Sequence, residues 1–170
     1  LMGLIRRFIA SELEVLDQAG VQLRMIGNRS RLELDLVEMI EDAEQRTARN
    51  DRLCLTVALS YGGRQDIATA ARRLVSQVSF GQRPISAIDE QSFAAELETS
   101  YLPDPELLIR TGGEKRISNF LLWQSAYAEL VFLDRLWPDF SKDDLSKSIA
   151  EFASRRADLS VDNETTEVAV

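Results

Sequence analysis

Histidine is absent from the 170 residues, and cysteine occurs once, at Cys54. Without an imidazole, Ser-His-Asp and Cys-His catalysis are excluded, as are histidine-ligated metals. One cysteine closes no internal disulfide and no Cys-x-x-Cys pair exists, so a cysteine-built zinc site is excluded as well. No apolar run approaches the roughly 18 residues of a membrane span, and the N-terminus lacks a secretory-leader pattern, so the chain reads as a soluble cytoplasmic protein. Positive charge is in deficit: 20 Lys and Arg against 28 Asp and Glu leave a net charge of −8. That balance argues against a nucleic-acid partner but allows a local basic pocket. Neither GxxxxGK[ST] nor GxGxxG occurs, so the nucleotide-binding fingerprints are missing too.

Apolar residues are 45% of the chain, enough for a globular core. Leu1 to Ala19 carries Leu1, Leu4, Ile5, Phe8, Ile9, Leu13 and Leu16 at helical spacing, and Gly20 stops the run. The pattern is already helical at Leu1, so the chain is expected to begin inside a domain. Val21–Ile26 alternates as a strand with Val21, Leu23 and Met25 on one face. Ser30 and Glu33 suggest a capping box for a helix striped by Leu32, Leu36, Met39, Ile40 and Ala43. Leu53–Leu59 is apolar on both faces, as in a covered parallel sheet, and is expected to pair with both Val21–Ile26 and Glu106–Arg110. Helices are expected over Arg64–Val78, around Asp89–Glu98 and from Phe120 to about Tyr127. A strand over Glu129–Leu133 and a helix from the Ser141/Asp144 pair to about Ala157 complete the pattern. This alternation predicts an α/β fold: one domain over 1–157 with a mostly parallel central sheet covered by helices on both faces, then a frayed acidic tail over 158–170.

In an open parallel sheet, ligands bind outside the carboxyl ends of the strands. Three loops qualify: Gly27–Ser30, Ser60–Arg64 and Arg110–Asn119. The last carries most chemistry. Arg110 and Arg116 are bidentate forks suited to phosphate, and Gly112 and Gly113 permit close backbone approach. Ser118 and Asn119 stand where a helix is expected to start, with free amides that favour an anion. A diphosphate without a nucleoside suits this set. The competing reading is a surface turn whose arginines pair with Glu114 and Asp104. Glu129, just before an apolar run, is either an ordinary strand-end carboxylate or a ligand for Mg²⁺ near such a diphosphate.

The stretch from Leu107 to Glu129, with Arg110-Thr111-Gly112-Gly113-Glu114-Lys115-Arg116-Ile117-Ser118-Asn119 and Phe120-Leu121-Leu122-Trp123-Gln124, resembles the signature of cis-prenyltransferases, above all bacterial undecaprenyl diphosphate synthases. Leu23–Gly27, Tyr61-Gly62-Gly63-Arg64 and Leu136-Trp137-Pro138-Asp139-Phe140 follow in the family's order, so the resemblance runs to about Ala157. It implies a Mg²⁺-dependent enzyme that adds isopentenyl diphosphate to an allylic prenyl diphosphate, making a Z-polyprenyl diphosphate. Arg110, Arg116 and Ser118, with Ile117 between them, would hold isopentenyl diphosphate. Tyr61 and Arg64 would lie near the substrates, and Glu129 would help bind Mg²⁺. Leu1, Leu4, Ile5 and Phe8, with Val21 and Leu53, would line a tunnel for the prenyl chain or be plain core.

The family's DGNxRWA-type motif, which supplies the catalytic Asp, is absent here, so the chain resembles the C-terminal two thirds of a synthase and its catalytic residue is unassigned. Ser60 stands where the family usually has Asn, and Lys115 where it often has His or Gln. The resemblance further implies a homodimer formed through Phe120–Leu133, with Trp123, Tyr127, Val131 and Phe132, and at most peripheral membrane contact for product release. The alternative is a non-catalytic subunit or inactive fragment that keeps the arginine pair and the dimer surface.

Overall fold

The computed structural model describes residues 2–166, with side chains through residue 156. The chain divides into two compact units, Leu1–Leu102 and Pro103–Val170, where the sequence pattern suggests one domain over 1–157. No helix among the described residues is long and apolar enough to cross a membrane.

In the first unit the order is α1 (Met2–Gln18), β1 (Val21–Ile26), α2 (Leu34–Arg46), β2 (Leu53–Ala58), α3 (Gly63–Ser79) and a short α4 (Glu90–Ala94). β1 and β2 are parallel, in register from Val21↔Leu53 to Ile26↔Ala58. The alternation read in β1 is the burial pattern: Val21, Leu23 and Met25 are buried while Arg24 is exposed. α1 and α2 cover that face. Ile9 and Leu13 from α1, Leu36, Ile40 and Ala43 from α2, Leu23 and Met25 from β1, and Leu59 form the core. Two arginines brace the helix pair at its ends, Arg6 to Asp35 (2.8 Å) and Arg46 to Asp17 (3.1 Å).

Among the described residues, side chains close the outer edge of β1. Three alternate amides are satisfied in turn: Leu23 donates to Thr47 Oγ1 (3.0 Å), Met25 to Glu44 Oε1 (2.8 Å) and Gly27 to Glu98 Oε2 (2.5 Å). Unpaired strand edges template aggregation, and polar capping of this kind blunts them.

The second unit holds β3 (Leu107–Arg110), β4 (Glu129–Phe132) and α5 (Lys142–Thr166). β3 and β4 are parallel, from Leu107↔Glu129 to Arg110↔Phe132. The Ser141/Asp144 start of α5 is a reciprocal cap: Ser141 N donates to Asp144 Oδ2 at 2.9 Å and Asp144 N to Ser141 Oγ at 3.3 Å.

The mixed α/β class with parallel strands is as expected, but four local expectations are corrected. Among the described residues β2 ladders with β1 and Leu107–Arg110 with β4, so the expected pairing of β2 with Leu107–Arg110 is not formed, and the first residue of β2, Leu53, is 58% exposed. An apolar run records that a strand can be covered, whereas its ladder partner is a long-range choice. Ser30 and Glu33 form no capping box. Instead, Asn28 accepts from Ser30 N and caps a 3₁₀ turn at Arg29–Arg31, while Glu33 precedes α2 without a side-chain cap. No helix spans Phe120–Tyr127: Ser118 and Leu121 adopt φ of 62° and 44°, left-handed values that break a helical run, and the segment forms successive turns. Finally, α5 extends to Thr166 rather than ending near Ala157; 167–170 lie outside the described residues.

Candidate functional site

Two loop regions follow the carboxyl ends of the parallel ladders, one in each unit. In the second unit, Arg110 ends β3 and its guanidinium pairs with Glu114, whose other carboxylate oxygen accepts from Arg116 Nη2 at 2.8 Å. One carboxylate thus bridges both arginines, and this pairing holds the Glu114 carboxyl below its ordinary value, with the Arg110 hydrogen bond the largest cause. The arginines differ in setting. Arg110 is 26% exposed and its Nε is buried without a hydrogen-bond partner, whereas Arg116 is 68% exposed. A buried guanidinium N–H with no acceptor is a costly feature that an incoming oxyanion would relieve. The turn pairing with Glu114, read from sequence as an alternative to anion binding, therefore exists, and it leaves donor capacity over.

The glycines serve the turn rather than a ligand. Gly112 and Gly113 have φ of 92° and 76°, and their amides donate to the carbonyls of Arg135 (2.8 Å) and Leu133 (3.0 Å). Neither amide is turned toward an anion, contrary to the sequence expectation. The expected helix start at Ser118 and Asn119 is also missing, so no helix dipole assists there. Ile117 is half-buried and Ser118 exposed beside the arginine pair.

Glu129 lies at the other end of the ladder. It is the register partner of Leu107, three residues before the Arg110↔Phe132 pair, which is about 10 Å at the strand rise. Its carboxylate pairs with Arg155 at 3.4 Å and lines a cavity of about 160 Å³ with Glu106, Tyr127, Phe152 and Arg156. Glu106 is itself paired with Arg156. Among the described residues no group of three His, Cys, Asp or Glu could hold a metal ion. The residues present do not by themselves make a Mg²⁺ site.

In the first unit, the loop after β2 carries Tyr61 and Arg64. Tyr61 is half-buried and donates to Asp66 Oδ2 at 2.9 Å; Arg64 is exposed. Ser60 adopts φ of 54°, the left-handed region that Asn tolerates several-fold better than most residues, which is the physical content of an Asn at this place in the resembled family. Asp66, 3% exposed, went unnoticed in the sequence, where an acid in a first helical turn is ordinary; no local signal marks it as buried.

The apolar residues read as a tunnel separate. Leu4 and Phe8 lie with Val15 on an exposed strip of α1, while Ile5 packs against the core. Val21 is buried, Leu53 exposed, and Leu1 is outside the described residues.

The profile of the prenyltransferase family described as undecaprenyl diphosphate synthase matches residues 1–159. The chain belongs to the cis-prenyltransferase family. Isoprenyl transferase 2 of Bradyrhizobium diazoefficiens is 50% identical over 155 residues, covering 91% of this chain and 62% of that protein. The farnesyl-diphosphate-specific ditrans,polycis-undecaprenyl-diphosphate synthase of Xanthomonas axonopodis pv. citri is 47% identical, covering 91% of this chain and 60% of that one. The crystal structure of lavandulyl diphosphate synthase from Lavandula x intermedia, solved with dimethylallyl diphosphate, superposes with a TM-score of 0.86 at 37% identity, over 89% of this chain and 66% of that one. This cis-prenyltransferase chain therefore spans about three fifths of the length of the curated relatives it matches.

Proposed function

We propose that this chain is the isopentenyl diphosphate-binding part of a cis-prenyltransferase that extends an allylic diphosphate into a Z-polyprenyl diphosphate such as undecaprenyl diphosphate. The observation that carries the reading is the Arg110–Glu114–Arg116 clasp with its unsatisfied Arg110 Nε. A diphosphate offers more oxygens and more charge than the one carboxylate it would displace, and forked guanidinium donors match its geometry. Ser118, exposed in the same loop, adds a hydroxyl donor, with half-buried Ile117 before it. Held by its diphosphate, isopentenyl diphosphate presents its alkene to the allylic carbon. A carbon–carbon bond forms there, the allylic diphosphate leaves and a proton is lost.

Tyr61 and Arg64 are proposed to lie near the substrates, and the exposed strip of Leu4 and Phe8 to meet the prenyl tail. Glu129 is the carboxylate proposed for Mg²⁺, which commonly takes one or two carboxylates together with phosphate oxygens and water. It supplies one ligand only, and no step here depends on it. A second copy is the proposed partner, docking over Tyr127, which is 98% exposed, and Trp123. Val131 is buried within its own unit and does not belong to that surface.

Incubation with labelled isopentenyl diphosphate, farnesyl diphosphate and Mg²⁺, followed by product chromatography, tests the reading. Binding of isopentenyl diphosphate supports it whether or not elongation follows, elongation rules out the non-catalytic subunit, and failure to bind any diphosphate overturns both.

A further inference from the structure

A path of hydrogen bonds links three segments of the first unit behind Tyr61. Asp66, in the first turn of α3, accepts from two separate segments: Tyr61 Oη reaches Oδ2 at 2.9 Å and Glu98 N reaches Oδ1 at 3.1 Å. The Glu98 side chain then turns to the end of β1, where Oε2 accepts from Gly27 N at 2.5 Å. Asn28 N donates to Ser60 O at 3.2 Å, closing the circuit between the loops after β1 and β2. Both loops carry unusual backbone. Gly27 has φ of 114°, and a Cβ there would sit 2.1 Å from the Leu59 carbonyl; Ser60 is left-handed at 54°. Such conformations persist only where the surroundings over-determine them.

From this we infer that Asp66 and Glu98 are positioning residues, which fix the Tyr61–Arg64 loop in the orientation that meets the diphosphate substrate. The inference rests on the proposed transferase reading for what Tyr61 meets, while the path itself stands on the distances above. A carboxylate at a 3% exposed position demands satisfied oxygens. Two acceptor oxygens facing two different segments fix both at once, which neither an apolar side chain nor a single hydroxyl would do. Glu98 extends the constraint, because its own amide is anchored by Asp66 while its carboxylate anchors Gly27. Neither acid needs to touch substrate.

Calorimetric titration of isopentenyl diphosphate into the 170-residue chain, with site-resolved amide hydrogen exchange, tests this. Tyr61→Phe and Asp66→Ala should each weaken binding about tenfold, the size of one lost hydrogen bond, and the double variant should be no weaker than the weaker single. Glu98→Ala should weaken binding less and speed exchange at Gly27. Glu98→Gln, which keeps a carbonyl acceptor, should restore both. Additive losses from Tyr61→Phe and Asp66→Ala overturn the inference, as does unchanged Gly27 exchange in Glu98→Ala. If Asp66→Ala does not fold, Asp66→Asn takes its place in the cycle. If the unaltered chain binds no diphosphate, the transferase reading fails. The exchange data then decide the path by themselves.

Discussion

The two loops that carry the candidate chemistry are built in opposite ways. The Ser60–Arg64 loop is held from behind by Asp66, a carboxylate almost wholly withdrawn from water, and by backbone bonds to the end of β1. The Arg110–Asn119 loop is mostly exposed, and its arginines are held by a single exchangeable carboxylate. Buried hydrogen bonds preorganise a surface before any ligand arrives, whereas exposed ion pairs are weak and can be traded for a better anion.

The harshest way to break the first loop is Gly27→Ala. A methyl group would meet the Leu59 carbonyl at 2.1 Å in a backbone region that disfavours side chains. Loss of about 3 kcal/mol or more is expected, read as a drop in the urea midpoint of the 170-residue chain. On the second loop, Arg110→Ala should weaken isopentenyl diphosphate binding by about 2–3 kcal/mol, or roughly 30- to 150-fold, by calorimetry. Arg116→Ala should cost less, since Arg116 is the more exposed partner.

Sharper still is the reversed sign expected at Glu114. Glu114→Gln removes the internal competitor for the arginines, so diphosphate should bind about threefold more tightly without divalent cations. The same release should appear with pH. Because pairing lowers the folded-state value of Glu114, the clasp is complete above the ordinary glutamate range and opens as pH falls through the lowered value. Weaker diphosphate binding by Glu114→Gln would show that Glu114 assists the ligand rather than competing with it.

The smallest effect belongs to Ser60. Ser60→Asn should raise stability by about 0.5 kcal/mol, since Asn accepts the left-handed conformation more readily. No gain in the denaturant midpoint would indicate that the loop is held by its hydrogen bonds alone.

How much of this was legible without coordinates depended on the range of the interaction. The alternation in Val21–Ile26, the stripe through Leu36, Met39, Ile40 and Ala43 (its first expected member, Leu32, lies before the helix) and the Ser141/Asp144 cap are local patterns that appear in the structure. So is the density of arginine, glycine and hydroxyl groups in 110–119, which marked the loop. The expected helix over Phe120–Tyr127 failed because its apolar spacing carries no trace of the left-handed residues Ser118 and Leu121.

Composition and spacing by themselves determined the α/β class and the exclusion of histidine and disulfide chemistry, and resemblance to a known family marked the signature around Arg110, because each is read along the chain without its folding. Tertiary structure alone decided that β2 ladders with β1 and β3 with β4, that Glu129 lies at the end of its ladder away from Arg110, and that Asp66 is buried where it can take Tyr61 and Glu98 together. Those facts depend on pairs up to tens of residues apart, and a hydrogen bond between distant residues leaves no periodic mark on the chain that makes it.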